Sequence, residues 1–526
     1  MDKIIGFLIT KDTALPKFDF FKVGLNIITV QHNNHYLYLW GIGDVNKCLI
    51  NNKYSLSFIL NESLLDRNIL IGFDDDDIIL ENDWLGSIPV FYNRIESIVS
   101  TVSNYCLKNK TIDSEGLSYF CEFGYSVFEK TMFRDIQFMR YYSKLIIADS
   151  IVVEYKLDPV LDKSFLENNS SEYGAIHLKQ EYISDIESNI DGDIVLPTSG
   201  GYDSRILNYF IKDKKRIRSF TYGISKDQSK SDEVVHAKKI SEIYHTKWEQ
   251  IELKEFHKYI DDWTDVFGFS AHLHGMYHIE FYKNISKIYD FSSSSFLSGI
   301  FGDIWAGSIK YQDLEIYQDV INLGYTHGLN LNLKYLDFKI DENLKHNFFN
   351  TNCKYFINDK IKSVFTVRMK LILISYLTQI PEYFGMPVWT PFLNFEIVKS
   401  TLNIGDSRRE NRVWQKDFFK NVGLNLEDMN LKSVKSNNLD YEITKISTFE
   451  KIDISMMNNY IDNNRLIKIN KILSNESLFE RIKNQLLYIK ILGTLLRLFG
   501  FKNEVLSALH EYYVIKSIEN GLKYDS

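Results

Sequence analysis

The sequence predicts an α/β protein in two parts, the second a doubly wound parallel sheet with a helical C-terminal extension. Three observations carry that expectation. Short β-rich runs separated by Asn, Asp and Gly fill roughly the first 155 residues. From Asp193 onward strand-like and helix-like segments alternate, which implies a mostly parallel sheet covered on both faces. Beyond about residue 310 the pattern is helical to the end, with few turn signals.

Element by element, HYLYLWGIG, YSLSFIL, ILIGF, DIILEND, SIPVFYN and IESIVSTV read as strands of the first part. The run Asp74-Asp75-Asp76-Asp77 lies between two of them. It reads as a solvated hairpin turn, since its spacing fits no calcium loop. Residues 114–122 and 127–131 read as short helices crossing that sheet. The Asn- and Ser-rich stretch 161–172, LDKSFLENNSSE, is the expected boundary, giving domains of 1–165 and 172–526. A helix over 173–189 follows. DIVLPT then leads into the helix SRILNYFIKDKK, and RIRSFTYG into the helix DEVVHAKKISEIYH. WEQIEL leads on to further helices and the strand SSFLSG.

Composition bounds the function. With 45% hydrophobic and 14% aromatic residues, the 526-residue chain can pack cores for more than one domain. A net charge of −8 offers no basic face, so no nucleic-acid partner is expected. Cys48, Cys106, Cys121 and Cys353 show no CxxC or zinc spacing and read as idle thiols of a reducing compartment. MDKIIGFLIT is too short an apolar run for a signal peptide. LLYIKILGTLLRLFGF at 486–501 is broken by Lys490 and Arg497 and reads as a packed helix. No transmembrane segment and a cytoplasmic location are the expectations.

The chemistry concentrates in VLPTSGGYDSRIL, residues 195–207. Ligands of a parallel α/β sheet bind beyond the carboxyl ends of its strands, where Ser199 to Ser204 fall. Gly200 and Gly201 bare the backbone N–H groups, and the next helix aims its positive end at the same point. Thr198, Ser199 and Ser204 add hydroxyl donors. Asp203 suits an anion site only if a divalent cation such as Mg²⁺ stands between carboxylate and phosphate. As a lone string the loop also fits a plain strand-to-helix turn. A second strand, however, ends in LSGIFGD, offering Asp303 as a second Mg²⁺ carboxylate. Between them, Ser219-Phe220-Thr221-Tyr222-Gly223 is a strand end able to hold a base through its backbone. Asp232 and Glu233 open the helix after it.

These residues, in this order, resemble the synthetase domain of class B asparagine synthetases and their relatives, the β-lactam synthetases and lasso-peptide cyclases. SGGYDS at 199–204 is similar to the family's PP-loop, which binds pyrophosphate. SFTYG is similar to its adenine-binding strand, and SGIFGDIWAG at 298–307 to its glycine-rich second loop. Asp232, Glu233, Ala237 and His245 match a further family segment, and Thr390-Pro391-Phe392-Leu393-Asn394 its Pro-Phe-Leu-Asp element. ENDWLGSIPVFYN resembles a strand pair of the family's N-terminal domain. The resemblance implies a degenerate type 2 glutamine amidotransferase-like domain, an Ntn-hydrolase-like αββα sandwich. A PP-loop domain of the adenine nucleotide α-hydrolase type would follow it.

The same resemblance implies ATP and Mg²⁺. ATP would be held by Ser199, Gly200, Gly201, Asp203, Ser204, Phe220, Thr221, Tyr222, Gly223, Gly299 and Gly302, and magnesium by Asp203 and Asp303. A lysine near the α-phosphate is also implied, with Lys435 the candidate by position and Lys432 close behind. The implied reaction is that of a carbon–nitrogen ligase. ATP adenylates a carboxylate, pyrophosphate leaves, and ammonia or an amine displaces AMP to form an amide.

Departures from the family narrow this. Position 2 is Asp2 where glutamine-using members carry the nucleophilic Cys, so no glutaminase activity is expected. Ile304 and Pro387 stand where the family has glutamates, which argues against asparagine synthesis itself. The carboxylate is left open among a sugar of surface-polysaccharide synthesis, an amino acid, a peptide or a specialised metabolite. Intramolecular cyclisation of β-lactam or lasso-peptide type is the next alternative. Base modification of tRNA and nucleotide binding without catalysis follow, and a homodimer is left open. Arg205 reads as a solvent-facing helix residue, or else as a contact to phosphate or substrate. His272, His274 and His278 read as core or substrate-contacting histidines rather than a zinc site.

Overall fold

The computed structural model describes residues 2–13, 24–57, 63–166, 170–474 and 501–524, with 483, 484, 486, 487, 495, 496 and 498. Most of the stretch 486–501 lies outside the described residues.

The first part contains twelve strands: β1 (Lys3–Thr10), β2 (Asn26–His32), β3 (His35–Ile42), β4 (Leu49–Ile50), β5 (Lys53–Ser55), β6 (Ile69–Asp74), β7 (Asp77–Asn82), β8 (Phe91–Asn93), β9 (Ile98–Ser100), β10 (Ile136–Phe138), β11 (Ser143–Ile147) and β12 (Ile151–Tyr155). They form two 6-stranded antiparallel sheets, ordered β10-β8-β9-β1-β3-β2 and β12-β11-β7-β6-β5-β4. The N-terminal apolar run, too short for a signal peptide, is an inner strand, β1. An irregularity between Ile4 and Gly6 brings Ile4, Phe7 and Ile9 onto one face. There they pack with Ile69, Ile71, Leu80 and Leu145 of the other sheet. Ile5 and Leu8, on the opposite face, join Leu117 and Phe120 of α1 (Ser114–Phe123), and Trp263 from the second part. Asp74 and Asp77 pair at the end of the β6–β7 hairpin, as expected for a solvated turn. Residues 127–131 are not helical: Val127 and Lys130 pair across a tight turn. Among the described residues of this part α1 is the one α-helix, so both sheets and a single helical layer are present.

The second part is a parallel 5-stranded sheet followed by helices. Its strands are β13 (Asp193–Val195), β14 (Ile217–Thr221), β15 (Lys247–Gln250), β16 (Ser294–Leu297) and β17 (Val388–Trp389), in the order β15-β14-β13-β16-β17. The connecting helices that matter are α2 (Glu172–Asn189), α3 (Tyr202–Phe210), α4 (Asp232–Tyr244), α5 (Ile260–Phe267), α6 (Tyr277–Ile285) and α7 (Gly302–Ala306). β17 falls where helices alone were expected, and two residues are too few to show a strand period.

The two parts meet through buried charge. Glu382 binds Lys3 at 2.6 Å and takes Arg67 through two bonds of 2.9 and 3.0 Å. Arg368 likewise grips Asp158 and the Trp84 carbonyl. Among the described residues, Asp359–Tyr383 is one stretch long and apolar enough to span a membrane, and 72% of its most apolar window is buried in the protein. Cys48, Cys106 and Cys121 are buried and Cys353 is exposed, all as free thiols.

Candidate active site

Sheet order reverses between β13 and β16, so the carboxyl ends of these neighbours flank the crevice where parallel sheets bind ligands. The two loops singled out in the sequence are the ones that leave those strands. In the first, Gly200 has φ +76°, and a Cβ there would collide with His236. No side chain caps α3, whose N-terminal residues Gly201 to Ser204 line a cavity of about 550 Å³. Thr198, Ser199, Phe220, Thr221, Tyr222, Gly299 and Asp303 line it too.

Asp203 sits deep in this wall. Its Oδ2 accepts the Asp303 N–H at 2.8 Å, while its buried Oδ1 has no partner. Burial first, and then the negative charge of Asp303, push the Asp203 carboxyl well above the usual carboxylate range; Arg412 and Lys179 pull the other way. Asp303 accepts the Ser308 hydroxyl at 3.0 Å. Two carboxylates side by side, one with an orphaned oxygen, fit a hard divalent cation such as Mg²⁺. Among the described residues no group of three or more His, Cys, Asp and Glu is placed to hold a metal, so phosphate oxygens and water would complete the shell.

A second cavity of about 300 Å³ adjoins, lined by Gly200, Arg205, Asp232, His236, Glu427 and Lys435. Ser199, Gly201, Tyr202, Glu233 and Arg412 line both. Lys435 reaches it because its segment is strapped to the start of α4. Val434 N–H donates to Lys230 O at 2.7 Å, Asp232 N–H to Val434 O at 3.1 Å, and the Ser433 hydroxyl to Asp232 at 2.6 Å. Lys432 lines neither cavity.

No protein-family model matches the chain, and no curated protein matches it.

Arg205 does not face solvent: it is 2% exposed. Its Nε donates to Gly200 O at 2.7 Å, and its guanidinium forks onto Glu427 at 2.9 and 2.7 Å. It is a clamp on the loop carbonyl. Gly223 and Gly302 line neither cavity. Gly223 leaves room for a turn against Ser231, and Gly302 for the Asp203 carboxylate. His245 ends α4 in the left-handed conformation (φ +55°). Ile304 is a core residue, and Pro387 O accepts the Phe296 N–H at 2.8 Å in the sheet.

The three histidines part company. His274 binds Asp440 at 3.0 Å, and His272 is buried. Only His278 lines the cavity, where burial lowers it to about 3 and keeps it neutral. Sequence reasoning missed Arg412, the one basic residue besides His278 among the inner-cavity lining residues. It follows Asn411 in a left-handed pair, φ +57° and +53°, and its guanidinium lies 4.7 Å over the Tyr202 ring. No motif in ENRVW marks it. Tyr277 and Tyr376, joined by their hydroxyls at 3.3 Å, were missed for the same reason.

Proposed function

We propose that this protein is an ATP-dependent carbon–nitrogen ligase that adenylates a carboxylate and transfers the acyl group to ammonia or an amine. The observation that carries the reading is Asp203, with its orphaned oxygen, beside Asp303 at the mouth of an uncapped, glycine-lined helix start. The Gly200-Gly201 backbone and the Ser199 and Ser204 hydroxyls hold pyrophosphate, and Phe220 to Tyr222 flank the base. Asp203 and Asp303 would hold Mg²⁺, which supplies charge neutralisation at the phosphate oxygens when bound.

In the first step the carboxylate oxygen attacks the α-phosphorus and pyrophosphate departs with the bonding electrons. Negative charge grows on both, and Lys435 and Arg412, which line the second cavity together, stabilise it. In the second step the nitrogen attacks the acyl carbon, AMP leaves, and the nitrogen sheds its proton. Asp2 is no substitute for a thiol nucleophile; it accepts the Asp44 N–H at 2.8 Å at the surface. The nitrogen comes from ammonia, free or delivered by another protein, or from an amine on a separate substrate or on the activated one, the latter giving a cyclase.

Incubation with Mg·ATP and a panel of sugar, amino-acid and peptide carboxylates tests this. AMP and pyrophosphate should appear together, and release of ADP instead refutes adenylation. Nucleotide binding without turnover is the second reading, supported by the apolar Ile304 among the residues of the second loop. Binding of Mg·ATP with no turnover on any carboxylate would select it.

A further inference from the structure

The seam between the two parts holds another cavity, of about 270 Å³ and partly open to solvent. Leu85 and Met139 of the first part face Phe348, Phe365, Met369 and Ile372 of the second across it. Protein interiors hold few voids larger than a water, and a dry cavity of about 150 Å³ already binds small apolar molecules.

One wall is a turn that its sequence disfavours. Phe128 and Glu129, between the paired Val127 and Lys130, have φ of +56° and +61°. That is the φ pattern of a type I′ turn, which normally takes Asn-Gly. Left-handed backbone is disfavoured at a residue with a Cβ, which crowds the following carbonyl oxygen. The strain fixes the shape of the wall: Phe128 packs on Tyr119 and Phe348 at 5.0 and 5.2 Å, and Glu129 accepts the Tyr155 hydroxyl at 2.7 Å.

A guanidinium completes the chamber. Arg140 lies over the Tyr141 and Tyr155 rings, 4.8 and 5.0 Å from their centres, and bonds the Tyr141 hydroxyl at 3.4 Å. Among the described residues no carboxylate is within ion-pair distance of it, whereas neighbouring Arg368 is saturated by Asp158 and Trp84. Arg140 is half-buried, and Glu129 and Asp158 act on its charge only from beyond ion-pair distance, so its guanidinium is open to a direct anionic partner.

We propose that this cavity binds a small amphipathic carboxylate, its hydrocarbon body in the apolar chamber and its carboxylate on Arg140. The site is distinct from the nucleotide cleft, with which it shares no lining residue. The helix Asp359–Ile374 turns Arg368, Met369 and Ile372 to this chamber, while Tyr376 and Leu377 beyond its end line the cleft.

Calorimetric titration of the full chain with octanoate tests the proposal, with octan-1-ol as the uncharged probe. One octanoate should bind per chain, about tenfold or more tighter than octan-1-ol. Arg140→Gln should remove that difference while leaving octan-1-ol affinity unchanged. Met369→Trp and Leu85→Phe fill the chamber from opposite walls, and either one, shown folded by its thermal melt, should abolish both. Asp203→Ala should change neither. No octanoate binding to the wild type, indifference to Arg140→Gln, full affinity in a filled variant, or loss with Asp203→Ala would each overturn it.

Discussion

Gly302→Ala tests the two acids without altering a charge or a hydrogen-bonding group. A Cβ at this position would lie 2.6 Å from both Cγ and Oδ1 of Asp203, and 2.7 Å from the Phe392 ring. Favourable carbon contacts need about 3.5–4.0 Å, so roughly 1 Å has to be absorbed. The Phe392 side cannot give much. That residue is 1% exposed, and its carbonyl is held by Trp305 Nε1 at 2.9 Å. Asp203 must therefore move, and the 2.8 Å bond from Asp303 N–H moves with it. Overpacking of this kind costs about 1–3 kcal/mol, which is about 5- to 150-fold in an equilibrium constant. The assay is the Kd for a non-hydrolysable ATP analogue at several Mg²⁺ concentrations, with a thermal melt to verify folding. Weaker binding in that range, and a higher Mg²⁺ requirement, are expected. Gly299→Ala, whose Cβ would stand 3.1 Å from Asp203 Cβ, should cost less. Mg·nucleotide affinity within about twofold of wild type in Gly302→Ala would refute the placement of the cation on Asp203.

Further outcomes follow from the same geometry. The folded Asp203 carboxyl is raised above its unfolded value, so its stabilising contribution is complete below the unfolded value and lost as pH rises through the folded one. Asp203→Asn should accordingly raise the melting midpoint of the nucleotide-free protein near neutral pH and eliminate the Mg·nucleotide-induced shift; an unchanged midpoint contradicts the burial argument. Lys435→Ala should slow carboxylate-dependent pyrophosphate release about 100-fold or more with little change in nucleotide Kd, while Lys432→Ala stays near wild type. Glu382→Gln leaves Lys3 and Arg67 buried without their anion and should cost about 3–5 kcal/mol in urea unfolding. Burial alone would raise the Glu382 carboxyl, but Arg67 and Lys3 more than offset it and hold it below its ordinary value. Its stabilisation is thus present above the unfolded carboxyl value and lost as pH falls through the folded one, so wild type and variant should converge in acid.

What could be read from the sequence divides by the range of the interactions involved. The hairpin at Asp74–Asp77 and the loops after β13 and β16 are local, and their turn residues and strand ends announce them. β1 escaped because it is buried on both faces, so KIIGFLIT shows a continuous apolar run instead of alternation. Residues 127–131 misled because a Phe-Glu pair gives no sign of a left-handed turn. The acids of the site obey the same division: Asp203 and Asp303 lie at strand ends and carry a recognisable pattern. Its cations divide. Lys435 is a candidate from its position downstream of the Pro-Phe-Leu element, and pairing with residues 230–232 brings it to the second cavity, whereas Arg412 carries no pattern and depends on a left-handed backbone about two hundred positions from the first loop. Arg205 was misjudged because its partner Glu427 lies 222 residues away. Left to themselves, Asp203 and Asp303 repel, and only tertiary contacts bring positive charge to them. Denaturant should therefore release nucleotide together with the contacts of residues 412–435, before the parallel sheet itself unfolds; hydrogen exchange that shows this segment and the sheet opening as one unit would contradict that order.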